Sequence, residues 1–147
     1  MKRAIEDELE IRSLVDRYCD AVNRRATADW RATWQPDASW ELFGRPMEGL
    51  DVLTKTFEGA IAMLRFVVQT AANGVIALDG DRATGRWMMS EWSESEPLGR
   101  LLLMFIYHDE YTRSPAGWRF QSRRMQLVYQ GPPDLSGKSF PPVADGA

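Results

Sequence analysis

The chain has 147 residues, 44% of them hydrophobic, with 18 basic and 21 acidic side chains and a net charge of −3, which suits one domain with a proper core. The basic residues are scattered rather than striped, which argues against nucleic acid or an anionic membrane as the main partner. The longest apolar run, LLLMFIY, has seven residues, far short of the roughly 20 that span a bilayer.

The start MKRAIEDELE turns acidic at once and shows no secretory apolar segment, so a cytoplasmic protein is expected. Cys19 is the only cysteine and His108 the only histidine, so neither an internal disulfide nor a dedicated zinc site is expected. Ile11, Leu14, Val15, Tyr18 and Val22 recur at steps of three and four, the stripe of one helix face. Acids lead this helix and Arg24 and Arg25 close it, both favourable to its dipole. TADWRATWQP reads as a second short helix, capped by Thr27, with Trp30 and Trp34 on one face and Pro36 as its stop. ASWELFG alternates as a strand up to a Gly-Arg-Pro turn. Leu50, Leu53, Phe57, Ile61 and Leu64 then mark a third helix.

Strands follow. Residues 65–78 run into LDGDRA, whose Asp-Gly is a hairpin signal; the same acids lack the rest of a calcium-loop series. ATGRWMMSEWSE, RLLLMFIYHDEYTR and GWRFQSRRMQLVYQ are three further strands. The tail GPPDLSGKSFPPVADGA is rich in Pro and Gly and is expected to be extended or mobile over 131–147, with Phe140 as a possible anchor. The expected architecture is therefore α+β over residues 1–130: helices laid on one face of a conical, curved antiparallel sheet, enclosing an apolar pocket.

The stretches YCDAVNRR…DW…PDASW, Q…NGVIALDGDRA, YHDEY and GWRFQSRR resemble the SnoaL-like branch of the nuclear transport factor 2-like superfamily, over roughly residues 5–130. The resemblance implies a conical pocket and cofactor-independent proton chemistry on ring-shaped apolar substrates, as in scytalone dehydratase, polyketide cyclases and hexachlorocyclohexane dehydrochlorinase. In such relatives an Asp near the end of the first helix orients a His on a following strand, and the His is the base. Here those positions fall on Asn23 and Gln69, neither of which titrates. An Arg of the family falls on Arg123, a permanent cation suited to an enolate, phenolate or carboxylate.

Arg123, Tyr18, Asn23 and Gln69 are thus the expected catalytic set, with Asn23 and Gln69 hydrogen-bonded to each other and orienting the substrate. Trp40, Ser90, Trp92, Phe105 and Tyr107 are the expected substrate-lining residues. Tyr107 alternates with Leu101, Leu103 and Phe105 and so faces inward. His108 has the opposite parity, and Asp109 is an inward residue near the strand end. Met88, Ser90 and Trp92 share one face of their strand, and Trp87, Met89 and Glu91 share the other. Both faces are mixed, and similarity to the relatives favours Ser90 and Trp92 inward and Glu91 outward. Trp87 and Met89 would then be costly to leave wet, so a homodimer or higher homo-oligomer is expected.

The functional expectation is a cofactor-independent lyase acting on an aromatic or polycyclic hydrophobic molecule. A ring cyclase or double-bond isomerase is one alternative, and a non-catalytic binder of small hydrophobic molecules is the other. No Gly-rich phosphate loop, Cys–His set or serine nucleophile elbow appears in the sequence, and neither cofactor nor metal is expected.

Overall fold

The apolar stripe of the N-terminal segment folds as the helix α1 (Lys2–Arg24), which buries Ile11, Leu14, Val15, Tyr18, Cys19 and Val22. It ends where Arg25 turns left-handed, with φ 57°. The Arg25 guanidinium then donates to the carbonyls of Ile61 and Leu64, at 2.9 and 2.7 Å. In this computed structural model, residues 1–141 are described. The second helix is shorter than its sequence pattern: α2 spans Thr27–Arg31, and Ala26 precedes it with no side-chain cap. Trp34 already opens the strand β1 (Trp34–Leu42), so Pro36 lies inside a strand rather than ending a helix. Proline is tolerated there because the pairing of β1 is irregular between Trp34 and Ser39, leaving that stretch out of the regular ladder.

A short strand, β2 (Arg45–Glu48), follows where the sequence suggested only a turn. Next come α3 (Leu50–Met63) and four long strands: β3 (Leu64–Asp79), β4 (Arg82–Ser95), β5 (Gly99–Ser114) and β6 (Gly117–Gly131). The sheet order is β2-β1-β6-β5-β4-β3. All these neighbours are antiparallel except β1 and β6, which run parallel. The sheet is therefore curved, unclosed and mixed, not wholly antiparallel. The helices α1 and α3 pack on one face of it.

The tail does not leave the body at 131. Its strand β7 (Lys138–Ser139) pairs with Tyr129 and Gln130 of β6. The Tyr129 hydroxyl ties the intervening loop by donating to the Pro132 carbonyl at 2.6 Å and accepting from the Gly137 amide at 2.9 Å. The Phe140 amide donates to the Val128 carbonyl. The rest of the tail expectation, residues 142–147, lies outside the described residues.

One feature of β3 governs the site. Its register with β4 shifts between Ala72 and Val75, where Asn73 adopts φ 54°. This is a bulge, one extra residue on the β3 side. Gly74 beside it has no room for a side chain, because a Cβ there would come within 2.3 Å of the Trp87 ring. Trp87 and Met89 are consequently core residues, both at most 5% exposed, and their faces do not meet solvent. The dimer argument drawn from them is thereby removed.

Candidate active site

The inward residues of the sheet divide into two regions. At the end nearer the β3–β4 hairpin, aromatic side chains fill the interior. Trp30 stacks on Phe57 at 4.3 Å, and Tyr18, Trp34, Trp40 and Phe120 meet edge-on or tilted at 5.4–6.0 Å. Such contacts add about 0.5–1.5 kcal/mol each beyond area burial. Trp40, Phe105 and Tyr107 belong to this buried set. The expected open apolar chamber is thus occupied here by the protein's own rings.

Arg123 is buried among them. Its Nε and Nη2 donate to the two carboxylate oxygens of Asp109, at 2.8 and 3.0 Å. Its guanidinium carbon lies 4.0–4.4 Å from the ring centroids of Tyr107, Phe120 and Tyr18. Burial opposes its charge, but the Asp109 carboxylate more than offsets this and keeps Arg123 firmly cationic. Asp109 in turn accepts from the Tyr111 hydroxyl at 2.7 Å, and Tyr111 accepts from Trp87 Nε1 at 2.9 Å. Asp109 is therefore a deep core residue, and the cation expected to clamp a substrate is already clamped. Its Nη1 alone lacks a hydrogen-bond acceptor.

Tyr107 accepts from Trp40 Nε1 at 3.0 Å and lies 3.4 Å from the Tyr18 hydroxyl. An indole nitrogen only donates. Whichever way the two phenols share a proton, one O–H of the pair keeps no acceptor. Burial raises both phenol pKa values, so both stay protonated as donors.

Toward the β4–β5 turn the surroundings change. Leu64, Leu101, Met125 and Leu127 are half-buried and pack against the core. Gln69 points inward at 4% exposure. Its Nε2 donates to Glu91 Oε2 at 2.7 Å, while its Oε1 faces the Cys19 thiol at 3.8 Å. Gln69 and Glu91 are directly opposed across β3 and β4. Burial raises the Glu91 pKa above the ordinary carboxylate value, and the Gln69 amide pulls the other way. Among the described residues no Lys, Arg or His forms an ion pair with Glu91. The Cys19 thiol is pushed up to about 11, chiefly by burial, and is no nucleophile.

Several expected site residues are placed elsewhere. Asn23 is exposed. It meets Gln69, but through the main chain: its Nδ2 donates to the Gln69 carbonyl at 3.0 Å and its Oδ1 accepts from the Gln69 amide at 2.7 Å. Asn23 therefore clips α1 to β3 and does not face a ligand. Ser90 and Trp92 are on the outer face, Trp92 at 39% exposure, and Glu91 is the inward member of that stretch. Glu91 shares the inward face of Trp87 and Met89, which oppose Tyr107 and Phe105 in an unbroken β4–β5 register, and the β3 bulge brings Gln69 to that same face. His108 is also on the outer face, with Nε2 at 2.7 Å from Gln126 Oε1. The structure thus brings Gln69 together with Glu91, which sequence reasoning set outside, and brings Tyr18 together with Arg123 and Tyr107.

The family model of the SnoaL-like domain matches residues 3–124. The chain belongs to the SnoaL-like family. At the level of sequence, no curated protein matches it. Among solved structures it is similar to a candidate scytalone dehydratase from Novosphingobium aromaticivorans, at 16% identity, with all of both chains covered and a TM-score of 0.84. A protein from Kribbella flavida is 22% identical over 90% of this chain and 97% of its own, with a TM-score of 0.82. The type 3 hexachlorocyclohexane dehydrochlorinase from Novosphingobium barchaimii is 18% identical over 95% and 97%, with a TM-score of 0.81. At these identities the likeness is one of fold. Among the described residues no helix is long and apolar enough to cross a membrane.

Proposed function

We propose that the protein is a cofactor-independent lyase whose general base is Glu91, acting on an uncharged, ring-containing hydrophobic molecule. The observation that carries this reading is the Gln69–Glu91 contact: an inward carboxyl with no cationic partner among the described residues, raised in pKa by burial, hydrogen-bonded to the residue at the family's base position. Such a carboxyl is a better proton acceptor than an exposed one, since a raised pKa makes its carboxylate the stronger base. The dehydratase and dehydrochlorinase identities of fold relatives support elimination as the reaction type.

In the proposed step Glu91 takes a proton from a ring carbon next to the one bearing the leaving group. The C–H electron pair becomes the new C=C bond as hydroxide or halide departs. Departing hydroxide recovers the proton from Glu91 and leaves as water, which regenerates the carboxylate; with halide the proton passes to solvent. Gln69 fixes the carboxylate orientation, and Asn23 fixes Gln69 through its backbone. The substrate is uncharged because Arg123 is neutralised by Asp109, whereas Glu91 repels carboxylates and phosphates.

A panel of β-hydroxy cyclic ketones and chlorinated cyclohexanes, scored by mass for loss of water or hydrogen chloride, tests the proposal. Turnover of a panel member that survives Glu91→Gln unchanged removes Glu91 as base, and a product of unchanged mass points to an isomerase instead.

A further inference from the structure

Beyond Met89 the inward face of β4 changes character. Trp87 and Met89 give way to Glu91, Ser93 and Ser95, which the period of two brings to the same side of the strand. The positions beside Ser93 are apolar, since Val67 of β3 and Leu101 of β5 are directly opposed to it. A strip of three polar side chains thus runs along an aliphatic wall. Two of them are committed. Glu91 Oε2 accepts from Gln69, and Ser95 Oγ accepts from the Leu98 amide at 3.2 Å. Ser93 is 7% exposed, yet among the described residues its hydroxyl takes part in no hydrogen bond. Nor is it one of the fully enclosed atoms without a partner, which are Trp30 Nε1, Trp34 Nε1 and Arg123 Nη1. A hydroxyl neither bonded nor enclosed borders space that another molecule can enter. That space is open enough to leave Glu91 and Leu101 only half-buried.

We propose that Ser93 recognises oxygen on the ligand, its O–H donating to the carbonyl of a cyclic ketone bound against Glu91. This deepens the lyase reading and rests on it for the place of the reacting C–H. Residues two apart on a strand stand about 7 Å apart on one face. A carbonyl oxygen and the C–H of the adjacent carbon bridge that gap, with a hydrogen bond at the Ser93 end and the proton-transfer contact at the Glu91 end. The ring then lies with its carbonyl toward the β4–β5 turn and its reacting C–H toward Gln69. As the proton passes to Glu91, negative charge spreads onto the carbonyl oxygen and strengthens the hydrogen bond from Ser93. Ser93 keeps its own proton. The C–H electron pair still ends in the C=C bond, and the departing hydroxide still recovers the proton from Glu91. A neutral donor also leaves Glu91 basic, whereas a cation at the same place would lower its pKa. A ligand without oxygen would leave this hydroxyl desolvated and unpaired, at a cost that an apolar side chain would not carry.

Calorimetric titration of the full chain with α-tetralone and with tetralin, which share a bicyclic frame and differ by the ketone oxygen, tests the proposal. The ratio of the two dissociation constants reports what the protein gains from that oxygen. In Ser93→Ala the ratio is expected to move about fivefold against the ketone, the worth of one neutral hydrogen bond, with tetralin affinity unchanged. The substitution removes no hydrogen bond within the protein, so the melting temperature should match wild type and separate lost recognition from lost folding. For any hydroxy ketone that the wild type turns over, kcat/KM should fall by the same factor or more. A ratio that Ser93→Ala leaves unchanged overturns the proposal, as does a wild type that binds neither compound. The two readings fail separately. Turnover lost in Glu91→Gln beside an unchanged ratio in Ser93→Ala removes Ser93 alone. A shifted ratio beside turnover that Glu91→Gln leaves intact removes only the base.

Discussion

Gln69 on β3 donates its side-chain amide to the carboxylate of Glu91 on β4, 2.7 Å away across directly opposed strand positions. A residue that cannot itself take up a proton is thus bonded to one that can. Replacing Glu91 with Gln keeps the volume and the capacity for a hydrogen bond while abolishing basicity. Elimination activity is expected to fall by about 10²–10⁴-fold, the usual contribution of general-base catalysis, as initial rates on any turned-over panel substrate will reveal.

The same substitution has a stability signature. The Glu91 pKa is raised in the folded protein, so folding favours its protonated form. That contribution is complete below the unfolded carboxyl pKa and disappears as pH rises through the folded value. The Glu91→Gln variant should therefore melt higher than wild type at pH 8, with the gap narrowing toward pH 4. Melting curves across that range check the sign; a variant less stable at pH 8 contradicts it.

Gln69→Leu removes the one interaction that lowers the Glu91 pKa. The acid limb of the kcat/KM profile is expected to move to higher pH, while activity well above that limb persists. A pH–rate profile distinguishes this positioning role from a purely structural one, which would depress rates at every pH without moving the limb.

Asn23 makes two hydrogen bonds to the Gln69 main chain. Asn23→Ala should destabilise by about 1–3 kcal/mol, at 0.5–1.5 kcal/mol for each bond. Asn23→Asp can accept from the Gln69 amide but has no proton for its carbonyl at neutral pH, so it should rescue only part of that loss. Urea denaturation of the two variants gives the comparison.

Asp109 and Arg123 are a buried, bidentate pair. Asp109→Asn or Arg123→Met alone should cost about 3–5 kcal/mol by stranding the partner, whereas an apolar replacement of both should cost less than the two single changes added. A double-mutant cycle in urea measures the coupling.

Much of the fold was legible because it is written in local periodicity. Ile11, Leu14, Tyr18 and Val22 can share a face only on a helix, and Leu103, Phe105 and Tyr107 point one way only on a strand. Sequence reading also turned Gln69 and Tyr107 inward, where both now lie. What failed depended on a single added residue. An unbulged hairpin through Asp79 and Arg82 would set Gln69 opposite Trp92; the bulge beside Gly74 sets it opposite Glu91 instead. Nothing in β4 itself announces this, since both of its faces mix apolar and polar side chains. Asn73-Gly74 was the available signal, a pair suited to positive φ in the middle of a strand. The parallel pairing of β1 with β6 had no local mark either, because it joins segments some 80 residues apart in the chain.

The kink beside Gly74 also bears on how such a protein could change its chemistry. Removing one amino acid at Asn73 would leave every side chain of β4 intact yet exchange a carboxylate for an indole as the neighbour of Gln69. Chain length in β3 is thus a lever on reactivity, and homologues that differ by one residue here are the ones in which a changed reaction should be sought.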